Sequence, residues 1–397
     1  MDTFCIFPWI HMHVDTTGDV LPCCIADHRE SLGNVKDSTI EEIWNSEKYK
    51  QMRLNMLQGK PCASCEICYN TERRGVQSVR QKRTKDFKHL LKLKNNTNED
   101  GSLDRVHLYH FDVRWSNICN FKCRTCHDSL SSSIAKEQQQ LGSTVPIYQL
   151  AGGDSNDDLL NQFKPYFKDI ETFYFAGGEP LVTEQHYTIL ESLIEQGKTD
   201  VALQYNTNLS VLKYKNKDLF ELWKKFSNVS IRVSLDSWGK RAEYIRDGTD
   251  WTVIENNILE IRNKLPHVRI NTSTVVSIFN LGTLDEFLDY LLESKLFKAR
   301  NFSPDFFNIV GPEHFTIDAL DDDTRNKFYR KLESAVPKYK KHVQAQLKNV
   351  LTWVASSTHN PVLKQQFKKE IEIRDKIRNK NLVDYLPELK SYVDKSV

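Results

Sequence analysis

From about Val106 to about Val310 the chain alternates short apolar runs with amphipathic segments, and this alternation limits the fold more than any other feature. The apolar runs are Val106–Val113, Glu171–Phe175, Val201–Tyr205, Val229–Leu235, Val268–Val276 and Phe302–Ile309. Between them, Thr188–Gln196, Leu219–Phe226, Thr252–Leu265 and Leu284–Leu292 carry the helical period. A strand, a helix and a second strand in succession pair in parallel through a right-handed crossover. About six such units predict an α/β fold, an open partial (β/α)6 barrel. The expected boundaries are 1–80 for a small cysteine-rich α+β domain, 81–105 for a basic linker helix and polar linker, 106–310 for the barrel and 311–397 for a helical C-terminal extension.

Three of the nine cysteines stand in one run, Cys119-Asn-Phe-Lys-Cys123-Arg-Thr-Cys126. This spacing brings three thiolates to one loop with no fourth nearby. A [4Fe–4S] cluster normally takes four cysteines, so three would leave one iron open to a non-protein ligand. A zinc knot with a distant fourth ligand is the alternative, since zinc favours thiolates too. Ala176-Gly177-Gly178-Glu179-Pro180 follows the apolar run Thr172–Phe175. Paired glycines past a strand end let a ligand approach the backbone closely, although the same residues also make plain turns. Gln204-Tyr-Asn-Thr-Asn208 and Arg232-Val-Ser-Leu-Asp236 each end an apolar run in small polar side chains able to donate and accept hydrogen bonds. Arg246 follows a short helical segment later.

In this order the motifs resemble the signature of the radical S-adenosylmethionine (radical SAM) enzymes. The resemblance implies that Cys119, Cys123 and Cys126 hold a [4Fe–4S] cluster whose open iron is chelated by the amino and carboxylate groups of SAM. It implies that Gly177, Gly178 and Glu179 hold the SAM amino group, that Asn206, Ser234 and Asp236 serve the ribose, and that Arg246 faces the carboxylate. Thr125 departs from the family, many of whose members carry an aromatic residue there.

The N-terminal part holds the other six cysteines. Phe7-Pro-Trp-Ile-His-Met-His-Val followed by Asp-Thr-Thr-Gly-Asp-Val reads as a β-hairpin, which brings Cys5 and Cys23 to one end. Ser38–Trp44 and Lys48–Leu57 read as helices, and Cys62-x2-Cys65-x2-Cys68 closes the module. The pattern resembles the SPASM/twitch domains that hold auxiliary iron–sulfur clusters, placed here ahead of the barrel. Two fully ligated clusters would need eight cysteines, so one auxiliary [4Fe–4S] cluster on Cys5, Cys23, Cys65 and Cys68 is expected. In β structure the side chain after Cys23 points to the opposite face, which leaves Cys24, with Cys62, as a spare or neighbouring thiol. The alternative is a zinc ribbon drawing on His11 or His13, which share a strand face; a partly buried or surface histidine pair is the simpler expectation.

Composition agrees. Hydrophobic residues at 39% and charged residues at 27% describe a globular protein. No apolar stretch reaches the ~18–20 residues of a membrane span, and the N-terminus lacks the pattern of a secretory signal. Clustered cysteines then read as metal ligands in a reducing cytoplasm. A net charge of +2 leaves no nucleic-acid footprint. Arg80–Lys94 is a basic stretch read as a solvated helix face, and Ser131-Ser132-Ser133 as a helix cap. The mechanism the resemblance implies is one-electron cleavage of SAM to a 5′-deoxyadenosyl radical, which abstracts hydrogen from a peptide or protein side chain. An auxiliary cluster can then accept the electron left on the substrate radical, ligate substrate or relay electrons inward, and an electron donor such as flavodoxin or ferredoxin is expected. A small sugar, nucleotide or amino-acid substrate is the alternative, and a non-catalytic zinc-binding interaction protein is the alternative of another class. Tyr205, His110 and Arg114 are strand-borne polar candidates, each read first as packing or cofactor support; the catalytic residue is unknown at this stage.

Overall fold

A computed structural model of the chain describes residues 3–73, 75, 77–297, 302 and 304–394. It divides into two compact units: residues 1–118, 144–205 and 221–229, and residues 119–143, 206–220 and 230–397.

In the first unit Phe7–Ile10 forms a helical turn, not the beginning of the expected hairpin strand. Pro8 in the first turn explains this, since proline suits a helix start and cannot donate to a strand ladder. Strand β1 therefore begins later, at His11–Val14, and returns as β2 (Asp19–Leu21), which pairs with β3 (Gly33–Asn34). Gly18 closes the turn at φ +90°, and a Cβ there would stand 2.7 Å from the Ala151 carbonyl oxygen. On its other side β1 pairs in parallel with β4 (His110–Val113), His11 opposite His110 and Val14 opposite Val113. Parallel pairing continues from β4 to β6 (Thr172–Phe175) and from β6 to β7 (Ala202–Thr207), so the order is β7–β6–β4–β1–β2–β3. One face of these strands packs Phe111, Phe173, Phe175, Leu203 and Tyr205 into the core; the Phe111 and Phe173 ring centres lie 4.4 Å apart. The cysteine-rich segment adds helices at Ile40–Trp44, Glu47–Leu57 and Glu66–Arg73. The basic stretch forms the helix Val79–Asp86 and a 3₁₀ segment at Lys88–Asn96.

In the second unit β10 (Val229–Ser234), from Ser230 onward, pairs in parallel with β12 (Arg269–Val276), and β12 with β13 (Asp305–Asn308). The expected strand Phe302–Ile309 includes Ser303, which lies outside the described residues. The helices Trp251–Lys264 and Leu284–Glu293 connect these strands. Two short antiparallel pairs complete the unit: β5 (Lys122–Cys123) with β11 (Arg246–Asp247), and β8 (Lys213–Tyr214) with β9 (Lys217–Asp218). Residues beyond 320 form the helices Asp322–Ala335, Lys341–Ser356 and Pro361–Arg378 and shorter turns. Parallel strands joined through helices in both units are the α/β arrangement that the alternation predicts.

Candidate functional site

The three-cysteine run folds as an arc anchored at both ends. Ser131 caps the helix Ser132–Gln140 by accepting from the Ile134 amide, as the sequence predicts. The serines do more than cap. Ser131 Oγ donates to the Phe121 carbonyl (2.7 Å), Ser133 Oγ donates to the Cys119 carbonyl (2.7 Å), and Ser132 Oγ accepts from the Cys119 amide (3.2 Å). At the far end the Cys126 amide donates to the Cys123 carbonyl, closing a tight turn.

Strand pairing sets Arg246 opposite Cys123, with the guanidinium Nη1 3.7 Å from the Cys123 sulfur. Arg246 Nε is held 2.8 Å from Asp236 Oδ2, and Asp236 Oδ1 accepts from the Val275 amide. Burial pushes the Cys123 thiol up while Arg246 pulls it down; burial raises Cys126 to about 12. Burial opposes the charge of Arg246, yet Asp236 and the cysteines beside it hold its pKa above the ordinary arginine range. Gly248 follows at φ +109°, where a Cβ would stand 2.9 Å from the Phe121 ring. Asn206 has a buried amide oxygen without a hydrogen-bond partner, an acceptor left for a ligand. Ser234 lies at the end of β10 opposite Ser273 of β12.

In the first unit, Gly177 and Gly178 follow β6 after Ala176 and run along the segment that holds Ser116 and Ile118. The Gly178 amide donates to the Ser116 carbonyl and the Glu179 amide to the Ile118 carbonyl (2.7 Å). A Cβ on Gly178 would stand 2.1 Å from the Ile118 oxygen, so only glycine fits, while Gly177 holds φ +125° against Arg114. Glu179 is buried, and its Oε1 accepts from the Leu181 amide to cap the turn Pro180–Val182.

The N-terminal cysteines separate into two groups. Cys5, Cys23, Cys65 and Cys68 line one cavity of about 400 Å³, open space at its mouth included, together with Phe7, Pro8, Ile25, Met56 and Arg80. Cys24 is exposed and outside that lining, within electrostatic reach of Asp112 and Arg114. Cys62 lines a neighbouring cleft with Met52 and Ser64, and its interaction with Cys65 draws the Cys65 thiol below its usual range and pushes Cys62 up. Burial raises Cys5 to about 12, Cys23 well above the ordinary range, and Cys68. Arg80 was read from the sequence as part of a solvated face. It is instead buried on the cavity wall, paired with a half-buried Glu72, its charge favouring the thiolates of Cys5 and Cys65. The only sequence trace of this is its position at the head of the basic stretch, next to Ser78, which caps the helix.

His11 and His13 are fully buried rather than at the surface, and neither lines the cysteine cavity. His11 Nδ1 lies 2.8 Å from the His110 carbonyl, and His13 Nδ1 lies 3.1 Å from Asp112, which also pairs with Arg114. Arg114 lies over the Tyr174 ring at 4.9 Å. Tyr205 is tied into the core by His186 and Trp223, each at 3.0 Å. Among the described residues no group of three or more His, Cys, Asp or Glu is placed to hold a single metal ion, and no helix is long and apolar enough to cross a membrane.

Two family models match the chain. The radical SAM superfamily matches residues 113–291, and the SPASM iron–sulfur cluster-binding domain matches residues 5–69. No curated protein matches significantly. Among solved structures, native anSMEcpe with bound AdoMet and Cp18Cys peptide is similar at 17% identity and a TM-score of 0.37, over 55% of this chain and 57% of its own. Streptococcus suis SuiB bound to S-adenosylmethionine is similar at 14% identity and a TM-score of 0.37, over 82% of this chain and 67% of its own. The chain thus spans little more than half the length of the first of these. A radical SAM domain takes a [4Fe–4S] cluster and SAM, and a SPASM domain takes auxiliary iron–sulfur. The chain carries a radical SAM domain, with an iron–sulfur cluster-binding SPASM domain ahead of it.

Proposed function

We propose that the protein is a radical SAM enzyme that modifies a peptide or protein side chain, with Cys119, Cys123 and Cys126 holding the SAM-cleaving cluster. Cys5, Cys23, Cys65 and Cys68 hold one auxiliary cluster. The observation that carries this reading is the contrast between a three-cysteine arc faced by Arg246 and a separate cavity lined by four cysteines. Soft sulfur donors suit iron–sulfur. Four cysteines on one cavity wall match the four thiolates that a closed [4Fe–4S] cluster takes. When bound, the cluster and SAM supply one-electron bond cleavage and hydrogen abstraction, the hard chemistry the protein itself lacks.

The chain's own residues bind and orient. Arg246, fixed by Asp236, offers a cation for the SAM carboxylate, and the charge-assisted bond is strengthened by burial. Glu179 offers an anion for the SAM amino group, and Gly177 and Gly178 let the chain pass close to Arg114 and Ile118 to place it. Asn206, Ser234 and Asp236 serve the ribose; the orphaned Asn206 oxygen supports this. The pairing of radical SAM and SPASM domains supports a peptide substrate. The nine cysteines, none in a disulfide, support a reducing cytoplasm, where flavodoxin or ferredoxin would supply electrons.

Anaerobic reconstitution tests the reading. About eight irons per chain, absorbance typical of iron–sulfur and reductive formation of 5′-deoxyadenosine are expected. Stoichiometric zinc with no 5′-deoxyadenosine would overturn it. Transfer of deuterium from a labelled peptide into 5′-deoxyadenosine decides for the peptide; transfer only from labelled sugars, nucleotides or amino acids decides against it.

A further inference from the structure

Within the second unit the helix Pro361–Arg378 reaches the backbone of the cysteine arc. Arg124 lies between Cys123 and Cys126 and is completely buried. Its amide donates to the Ile245 carbonyl (2.8 Å) and its Nε to the Tyr244 carbonyl (3.0 Å), with the guanidinium carbon 3.7 Å from the centre of the Tyr244 ring. Its Nη2 donates to Asp375. The same carboxylate accepts from the Tyr244 hydroxyl (2.9 and 3.0 Å) and from the Leu382 amide (2.7 Å). Arg374 Nη1 donates to the carbonyl of Arg124 (3.0 Å). Further along, Arg378 forms a two-pronged pair with Glu137 (2.7 and 2.9 Å), and Lys380 donates to Asp247 (2.6 Å). Lys122, beside Cys123, lies 3.1 Å from Asp247 and 3.4 Å from Glu137.

A buried ion pair is poor evidence for stability, because apolar residues of the same shape often do as well or better. What the pair supplies is direction. Asp375 fixes a residue between two cysteines, and through Tyr244 it fixes the segment that ends in Arg246. We propose that the C-terminal helix is part of the cluster-binding machinery, with Asp375 the positioning residue that holds the Cys123–Cys126 arc and the Arg246 strand in register. This rests on the reading above for what the arc binds, but the placement of the arc is testable without any cluster.

The test is the rate at which iodoacetamide alkylates each cysteine in the reduced, cluster-free full-length chain, read by mass spectrometry. In Asp375→Asn, Cys123 and Cys126 should react at least about tenfold faster than in wild type, because local opening sets their access. Cys5 and Cys68 should be unchanged. Tyr244→Phe keeps the ring over Arg124 and removes only the hydroxyl, and should shift the same two rates in the same direction by less. Asp375→Glu should restore part of the protection. Glu286→Gln breaks a Lys331 pair that joins the helices Leu284–Glu293 and Asp322–Ala335, and should leave the arc's rates at wild-type values. Rates at Cys123 and Cys126 within about twofold of wild type in both Asp375→Asn and Tyr244→Phe would overturn the proposal. If Asp375→Asn does not fold, Tyr244→Phe alone decides. A wild-type arc that takes up no cluster overturns the functional reading instead and leaves the alkylation result standing.

Discussion

The two cysteine sets differ in where their geometry comes from. Cys119, Cys123 and Cys126 come from one eight-residue run, and the contacts that shape it are polar and directional: three serines, a strand pairing and a buried arginine. Cys5, Cys23, Cys65 and Cys68 come from separate elements and meet in a cavity with a largely apolar wall. A site built by one loop can keep an open face for an exchangeable ligand. A site gathered from distant elements depends on the packing of the whole module and is suited to holding something closed in. The difference is why we propose SAM chemistry for one set and electron storage for the other.

The sharpest way to break that comparison is to empty one site at a time. The triple change of Cys119, Cys123 and Cys126 to Ala should abolish 5′-deoxyadenosine formation and lower the iron count from about eight to about four. Residual 5′-deoxyadenosine under reducing anaerobic conditions would falsify the assignment. Next in size, Cys65→Ala/Cys68→Ala should also leave about four irons and still yield 5′-deoxyadenosine without substrate, while product formation stops. Product at the wild-type rate in that variant removes the electron-storage role.

Smaller effects sharpen the contrast within the arc. Arg246→Ala would strand the buried Asp236 and cost stability as well as affinity, so Arg246→Lys is the cleaner change. With Glu179→Gln, which keeps the cap on Leu181, it should weaken SAM binding by about 1.5–3 kcal/mol without emptying the cluster. Calorimetry showing unchanged affinity in either variant withdraws that residue's role. Gly178→Ala forces a Cβ onto the Ile118 oxygen and should destabilise the first unit by about 1–3 kcal/mol; an unaltered thermal midpoint would contradict the close approach. Smallest, Ser131→Ala should cost about 1 kcal/mol through the lost cap, seen as a lower denaturation midpoint.

What the sequence made legible follows the same line. The strands appear where period and apolar runs predict them, because those signals are local. Gly177 and Gly178 were read as room for a ligand; the backbone that comes close to Gly178 is the chain's own, at Ile118. The opening of the hairpin was misread because Phe7, Trp9 and Ile10 look like a strand, while Pro8 turns them into a helical turn. Burial of His11 and His13 was not legible: it depends on β4 lying alongside β1, about a hundred residues away in the chain. Arg80 was missed for the same reason, since its burial is set by Glu72 and the cavity wall, not by its neighbours in sequence. The serines were read as a cap and turned out also to tie down the cysteine backbone, a second use that helix statistics do not reveal.

The parallel pairing of β1 with β4 has a practical meaning for anyone who wishes to cut or graft this protein. The cysteine-rich N-terminus looks like a cassette that could be trimmed away or exchanged between relatives. It is not one, because its first strand is also the cover of β4. Deleting residues 1–80 would bare a row of unpaired amides and carbonyls along β4, an invitation to aggregate. In the intact chain the row ends instead at β3, only two residues long, a blunt edge with little to offer a neighbour.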